Sequence, residues 1–240
     1  MATVAPINHM TEIERAPSRR PRVVLMDVLG TMLRVDALAA RFVDVGRPEE
    51  EWKVFYARTL RDGMALTLAG GATPPFIDVA RTALRTTVRH TLSEQALDHV
   101  LAGFRELPPY PDVEPALVAL TRARIPVYAL THGDPDAARA ALDRAGLRTY
   151  LREVLASQDI GAFKPRARVY HWACREAGSP PELTALVAAH SWDVHGAIRA
   201  GLIGGFATRL EGAVPETIDR PHVSATQLDD VAAGLLALSV

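Results

Sequence analysis

Three stretches of the chain share one pattern, a short run of aliphatic and β-branched residues that switches abruptly to polar residues and glycine. "RVVLMD" (22–27) runs into "VLGT", "PVYALT" into "HGD" (126–134), and "LTALVAA" into "HSWD" (183–193). Apolar runs of this length, bounded by turn residues, predict buried strands. "IGGFATR" (203–209) is a further short candidate. Between them, "DPDAARAALDRAGL" (134–147) and "RARVYHWACREAG" (166–178) carry apolar residues at helical spacing and close on Gly146 and Gly178, which suit helix C-caps. Strands alternating with helices predict an α/β fold with a mostly parallel sheet, right-handed crossovers, and functional residues at the carboxyl ends of the strands.

Residues 35–107 break the alternation with about seventy residues of helical pattern and no convincing strand. One helix is expected behind Pro48 and three glutamates, a second in "PPFIDVARTALRTTVRH" and a third in "SEQALDHVLAGFREL", where the serine serves as N-cap. An insertion between the first strand and the rest of the sheet would overhang the strand ends as a lid, with "PPYPD" (108–112) as the return hinge. The expected organisation is a flexible tail over 1–21, a core domain over 22–34 and 108–240, and a helical cap domain over 35–107.

With 240 residues, 48% of them hydrophobic, the chain can fill one large core or one core and a modest second domain. Its 27 basic and 28 acidic residues give a net charge of −1, so nothing favours nucleic acid or an anionic membrane as partner. No apolar run approaches the roughly 20 residues that span a bilayer, and residues 1–21 lack the apolar segment of a secretory signal. A single cysteine, Cys174, excludes an internal disulfide framework and fits a reducing cytoplasm. A small molecule is the expected ligand.

The polar residues at the strand ends are Asp27 and Thr31, then Thr131 and His132, then Lys164 in the "GAFKP" loop, then Asp193. An acid nucleophile needs a cation nearby to stay ionised and a hydroxyl or amide to fix its rotamer; Lys164 and Thr31 suit those tasks.

"DVLGT", "LTHG", "KPRARVY" and "AAHSWD" together resemble the four ordered motifs of the haloacid dehalogenase superfamily, from about Arg22 to Arg209, with the helical insertion in the place of its cap. The "KPxxxVY" and "WDxxGA" strings are similar to those of the type II 2-haloacid dehalogenases. The resemblance implies a Rossmann-like core. It also implies Asp27 as nucleophile, Lys164 as its cationic neighbour, and Tyr170 and Asp193 in support. Displacement at C2 of a short 2-haloacid would form an aspartyl ester that water then opens. Thr131 and the amides of Val28 and Leu29 would hold the substrate carboxylate, Leu29 and Trp192 would wall the halogen pocket, and Lys164, Asp193 and His190 would handle the second-step water. No cofactor or metal is implied. Dehalogenases of this type are commonly dimers, so a homodimer is compatible.

The chain departs from that pattern in several places. The dehalogenases usually carry an aromatic residue at the position of Leu29, asparagine at His132 and His190, and serine at Ala188. They take the halide on an arginine of the first cap helix, where Lys53, Arg58 and Arg61 all stand as candidates. Histidine for asparagine adds a proton donor, which raises the alternative of opening a strained cyclic amino acid such as azetidine-2-carboxylate. A magnesium-dependent phosphatase, the commonest activity of the superfamily, would carry acids at Leu29 and Ala189. A non-catalytic binding module is the remaining alternative.

Overall fold

A computed structural model describes residues 19–71 and 73–239. Most of the tail expected over 1–21 lies outside the described residues; of its last three, Arg19 and Arg20 pair with Ser239 near the other end of the chain.

Strand β1 (Val23–Asp27) is followed by four helices, α1 (Leu38–Asp44), α2 (Glu51–Ala69), α3 (Phe76–Thr87) and α4 (Glu94–Ala102). The chain then alternates: α5 (Val113–Arg122), β2 (Val127–Thr131), α6 (Pro135–Arg144), β3 (Leu151–Ala156), α7 (Ala167–Glu176), β4 (Thr184–Ala188), α8 (Ser191–Arg199), β5 (Ile203–Ala207), β6 (Val223–Ala225) and α9 (Leu228–Leu236). The six strands form one parallel sheet in the order β3-β2-β1-β4-β5-β6. The order reverses between β1 and β4, and the crevice at that reversal is where such sheets bind ligands.

The central strands are buried on both faces, and their period of two divides the core cleanly. Val24, Met26, Val127, Ala129, Ala185 and Val187 share a cluster with α5 and α9, whereas Val23, Leu25, Leu130 and Leu186 pack with Val169, Ala173 and Cys174 of α7. Cys174 is a buried free thiol.

Helices α1 to α4 bury their own apolar faces together, and that cluster runs on without a break into the sheet through Val28, Leu29 and Phe163. Two contacts seat α2 on the loop that carries Lys164. Thr67 accepts the Phe163 N–H at 2.9 Å and, through its carbonyl, the Arg166 guanidinium at 3.0 Å. Gly63 lies against the Phe163 ring so closely that a Cβ there would come within 2.3 Å of it. No helix among the described residues is long and apolar enough to cross a membrane.

Candidate active site

Strand β1 stops at Asp27, whose side chain is 4% exposed, and the chain turns sharply through Val28–Leu33. Gly30 is required there on two counts. Its φ is +85°, and a Cβ would fall 2.8 Å from the His190 ring. One turn on, the Thr31 hydroxyl donates to Asp27 Oδ2 at 2.6 Å while accepting the Ala189 N–H at 2.8 Å, so the neighbouring strand end fixes which way its proton points.

Lys164 is fully buried, and its ammonium sits between two carboxylates, 2.7 Å from Asp27 Oδ1 and 2.6 Å from Asp193 Oδ2. Its third donor meets the Leu130 carbonyl at 3.1 Å, so all three N–H groups are satisfied. Asp193, in the first turn of α8, accepts the Tyr170 hydroxyl on Oδ1 at 2.6 Å. Burial would lower the Lys164 ammonium, but Asp193 and then Asp27 outweigh it and raise the group above the ordinary lysine value. Burial would raise Asp27, yet the Lys164 charge, with help from His190, holds it well below the usual carboxylate range. Asp193 moves the other way: its own burial and the charge of Asp27 raise it, against the pull of Lys164. Two carboxylates pushed apart by their surroundings suit two different tasks.

His190 precedes α8 and approaches Asp27 Oδ2 with Nδ1 at 3.2 Å. His132, after β2, is buried with its ring stacked between Phe163 at 4.9 Å and Trp192 at 5.8 Å; Trp192 in turn lies 5.3 Å from His190. Burial, then the Lys164 charge, pushes the His132 imidazole well below its ordinary value, so it stays neutral. Its Nδ1 lies 3.5 Å from the Ser157 hydroxyl and its Nε2 is buried without a partner. Thr131 caps the turn after β2 by accepting the Gly133 N–H at 3.1 Å. His195, on α8, accepts the Asp219 N–H at 3.1 Å and so serves a loop rather than the cluster.

The structure thus gathers Asp27, Thr31, Lys164, Tyr170, His190 and Asp193 into one hydrogen-bonded group, with Thr131, His132 and Trp192 beside it. It does not bring the expected cap cations there. Lys53 is exposed, Arg58 donates to Thr87 on α3 at 3.0 Å, and Arg61 pairs with Asp62 at the surface. The rotation of α2 explains this correction, because its buried face carries Phe55, Tyr56, Thr59, Leu60 and Gly63. The α2 residue that meets the loop after β1 is Tyr56, whose hydroxyl donates to the Leu29 carbonyl at 3.3 Å.

Arg209, just past β5, is a second participant the motifs did not single out. Its Nη1 donates to both Asp112 oxygens at 2.5 Å, its Nη2 donates to the Thr31 carbonyl at 2.9 Å, and the guanidinium lies over the Tyr110 ring. It therefore clamps the loop after β1 to the 108–112 segment, and its position just after a strand was the available signal.

A cavity of about 240 Å³ opens beside this group, walled on the core side by Val28, Leu29, Thr131 and Gly133. Among the described residues no three His, Cys, Asp or Glu side chains are arranged to hold a metal ion.

Known proteins resemble this chain in sequence and in fold. The sequence profile of a hydrolase family, haloacid dehalogenase-like hydrolase, matches residues 21–201. The (S)-2-haloacid dehalogenase 4A of Burkholderia cepacia is 31% identical over 186 residues, 75% of this chain and 80% of that protein. The (S)-2-haloacid dehalogenase 1 of a Pseudomonas strain is 28% identical over 184 residues, 73% and 79% respectively. The L-2-haloacid dehalogenase of Xanthobacter autotrophicus has the same fold, with a TM-score of 0.83 over 91% of this chain and all of that one at 22% identity. The chain belongs to the haloacid dehalogenase-like hydrolases.

Proposed function

We propose that the protein hydrolyses the carbon–halogen bond of a small (S)-2-haloacid through an ester formed on Asp27. The observation that carries this reading is the Lys164 ammonium held between two buried carboxylates, which keeps Asp27 ionised inside the protein. Oδ2 of Asp27 already receives two donors, Thr31 and His190, whereas Oδ1 receives one. Oδ1 keeps lone-pair room and is the attacking atom.

In the first step Oδ1 bonds to C2 of the acid, the carbon–halogen bond breaks, and the halide leaves with the electron pair and no proton. Thr131 and the backbone N–H groups of Val28 and Leu29 hold the substrate carboxylate. Leu29 and the Trp192 ring supply apolar surface at the leaving group. In the second step water attacks the ester carbonyl carbon. Thr31 and His190 face Oδ2, which is then the carbonyl oxygen, and stabilise charge on it. The His190 ring takes one water proton; Asp193, with both oxygens occupied by Lys164 and Tyr170, positions Lys164. Collapse breaks the Cγ–Oδ1 bond, the departing alkoxide takes the proton back from His190, the second water proton leaves to solvent, and the Asp27 carboxylate returns with one oxygen from water.

This chemistry needs no metal: Leu29 and Ala189 stand where magnesium-dependent relatives would carry acids, and the cation between the carboxylates is Lys164 itself. The single buried Cys174 supports a cytoplasmic location, and a homodimer is in keeping with the dehalogenase reading. Incubation with (S)-2-chloropropionate tests the proposal. It should release chloride and (R)-lactate at a rate unchanged by chelator; no chloride release, or loss on chelation with rescue by Mg²⁺, overturns it.

A further inference from the structure

The cavity beside the nucleophile loop is larger and more apolar than a three-carbon acid needs. Its volume is about 240 Å³. It starts at Val28, Leu29 and Thr131, where the substrate carboxylate is placed above, and runs outward between the cap and α6. The cap side presents Phe76, Ile77, Leu101 and Phe104, and α6 presents Ala137, Ala138 and Ala141, whose small side chains leave the space open. Three of the four charged side chains on its wall are engaged within the protein, and the fourth faces solvent. Arg81 pairs with Asp98, Asp134 caps α6 by accepting the Ala137 N–H at 2.8 Å, and Arg105 is exposed. Such a groove, walled at one side by the two residues that follow Asp27, suits a hydrocarbon chain.

We propose that this groove receives the substituent on C2, so that the preferred substrates are 2-substituted carboxylic acids with an alkyl or aryl chain several carbons long. With the carboxylate at Thr131 and C2 next to Asp27, the rest of the acid has this opening beside it. That orientation rests on the haloacid reading. Each methylene moved from water into apolar surroundings strengthens binding about fourfold.

Two measurements separate this proposal from the reading beneath it. In the first, unreactive n-alkanoates from propanoate to octanoate are titrated calorimetrically into the full chain, which needs no turnover. The dissociation constant should fall about threefold to fourfold per methylene until the groove is full; a flat series overturns the proposal. Ala137→Phe, half-exposed at the mouth of the groove, should flatten the series. Should that variant misfold by circular dichroism, Ile77→Ser on the rim tests the same wall. A chain-length dependence that survives in a folded variant places the chain elsewhere and overturns the proposal. In the second, kcat/KM is measured for (S)-2-chloro acids of three to eight carbons. A rise with length supports the groove, and turnover of the three-carbon acid with no gain overturns it. Chain-dependent binding with no turnover of any member contradicts the haloacid reading and leaves the groove standing.

Discussion

The sheet edge and the cap face that close the site are built in opposite ways. At the sheet edge, Asp27 is held by Thr31, Lys164 and His190 from three segments, and Lys164 is held in turn by Asp193 and Leu130. The cap turns mainly rings and aliphatic groups toward this edge and meets it through few polar contacts, among them Tyr56 to Leu29 and Thr67 to the Phe163 loop. A continuous series of rings, Phe42, Phe55, Phe104, Phe76, Phe163, His132, Trp192 and His190, leads from the interior of helices α1 to α4 to Asp27. Charge and proton positions are thus fixed by rigid strand ends, while the cap contributes shape and dryness. A charged centre tolerates little misplacement, and strand ends supply that rigidity.

Removing the charge at the edge should cost most. Lys164→Met leaves Asp27 and Asp193 buried without their shared cation, and breaking a buried pair in this way costs about 3–5 kcal/mol. Urea unfolding should register that loss together with loss of halide release. His190→Phe keeps a ring beside Trp192 but removes both the donor to Asp27 and the proton acceptor; the second step should slow by about 10²-fold or more. Mass spectrometry of the quenched enzyme should then find accumulated ester on Asp27, which the parent does not build up.

The seam between the two regions should respond to pH. The unfolded chain binds a proton at the His132 position below about 6.5, while the folded ring, pushed well below that value, does not. Stability contributed by neutral His132 is therefore complete above the unfolded value and declines as pH falls beneath it, by at most about 1.4 kcal/mol per pH unit. Comparing unfolding of the parent and His132→Gln between pH 7.5 and 5.5 isolates this slope, which the variant should lack. The smallest effect belongs to the cap surface. Lys53→Ala should leave kcat/KM within about twofold, since Lys53 is exposed; a loss of a hundredfold would show that the cap does deliver a cation to the site.

The same contrast governs how much was legible in the sequence. β1, β2 and β4 announce themselves by unbroken apolar runs because both faces of a central parallel strand are buried. Their first polar residues then fall at one edge, so Asp27, Thr131 and His190 could be named with no coordinates. β3 was missed because Arg152 and Glu153 interrupt "LREVLA"; as an edge strand it tolerates an exposed Arg152. β6, at the other edge, has three residues, too few for a period. The helices of the insertion were readable, but which residue of α2 meets the nucleophile loop depends on rotation about its axis. Packing of Phe55, Leu60 and Gly63 settles that rotation in favour of Tyr56 over any neighbouring cation. Arg209 acts across 178 positions of sequence on Thr31, a separation that no local pattern encodes.

Covalent participation of Asp27 is the centre of this account, and one isotope experiment bears on it directly. Excess enzyme is given a single turnover of (S)-2-chloropropionate in ¹⁸O-water, and both the lactate and the peptide containing Asp27 are weighed by mass spectrometry. Water attacking the ester carbonyl should leave one ¹⁸O on Asp27 and none in the first-turnover lactate. Label in the lactate with Asp27 unchanged would mean that water attacks C2 itself, and the ester mechanism would be wrong.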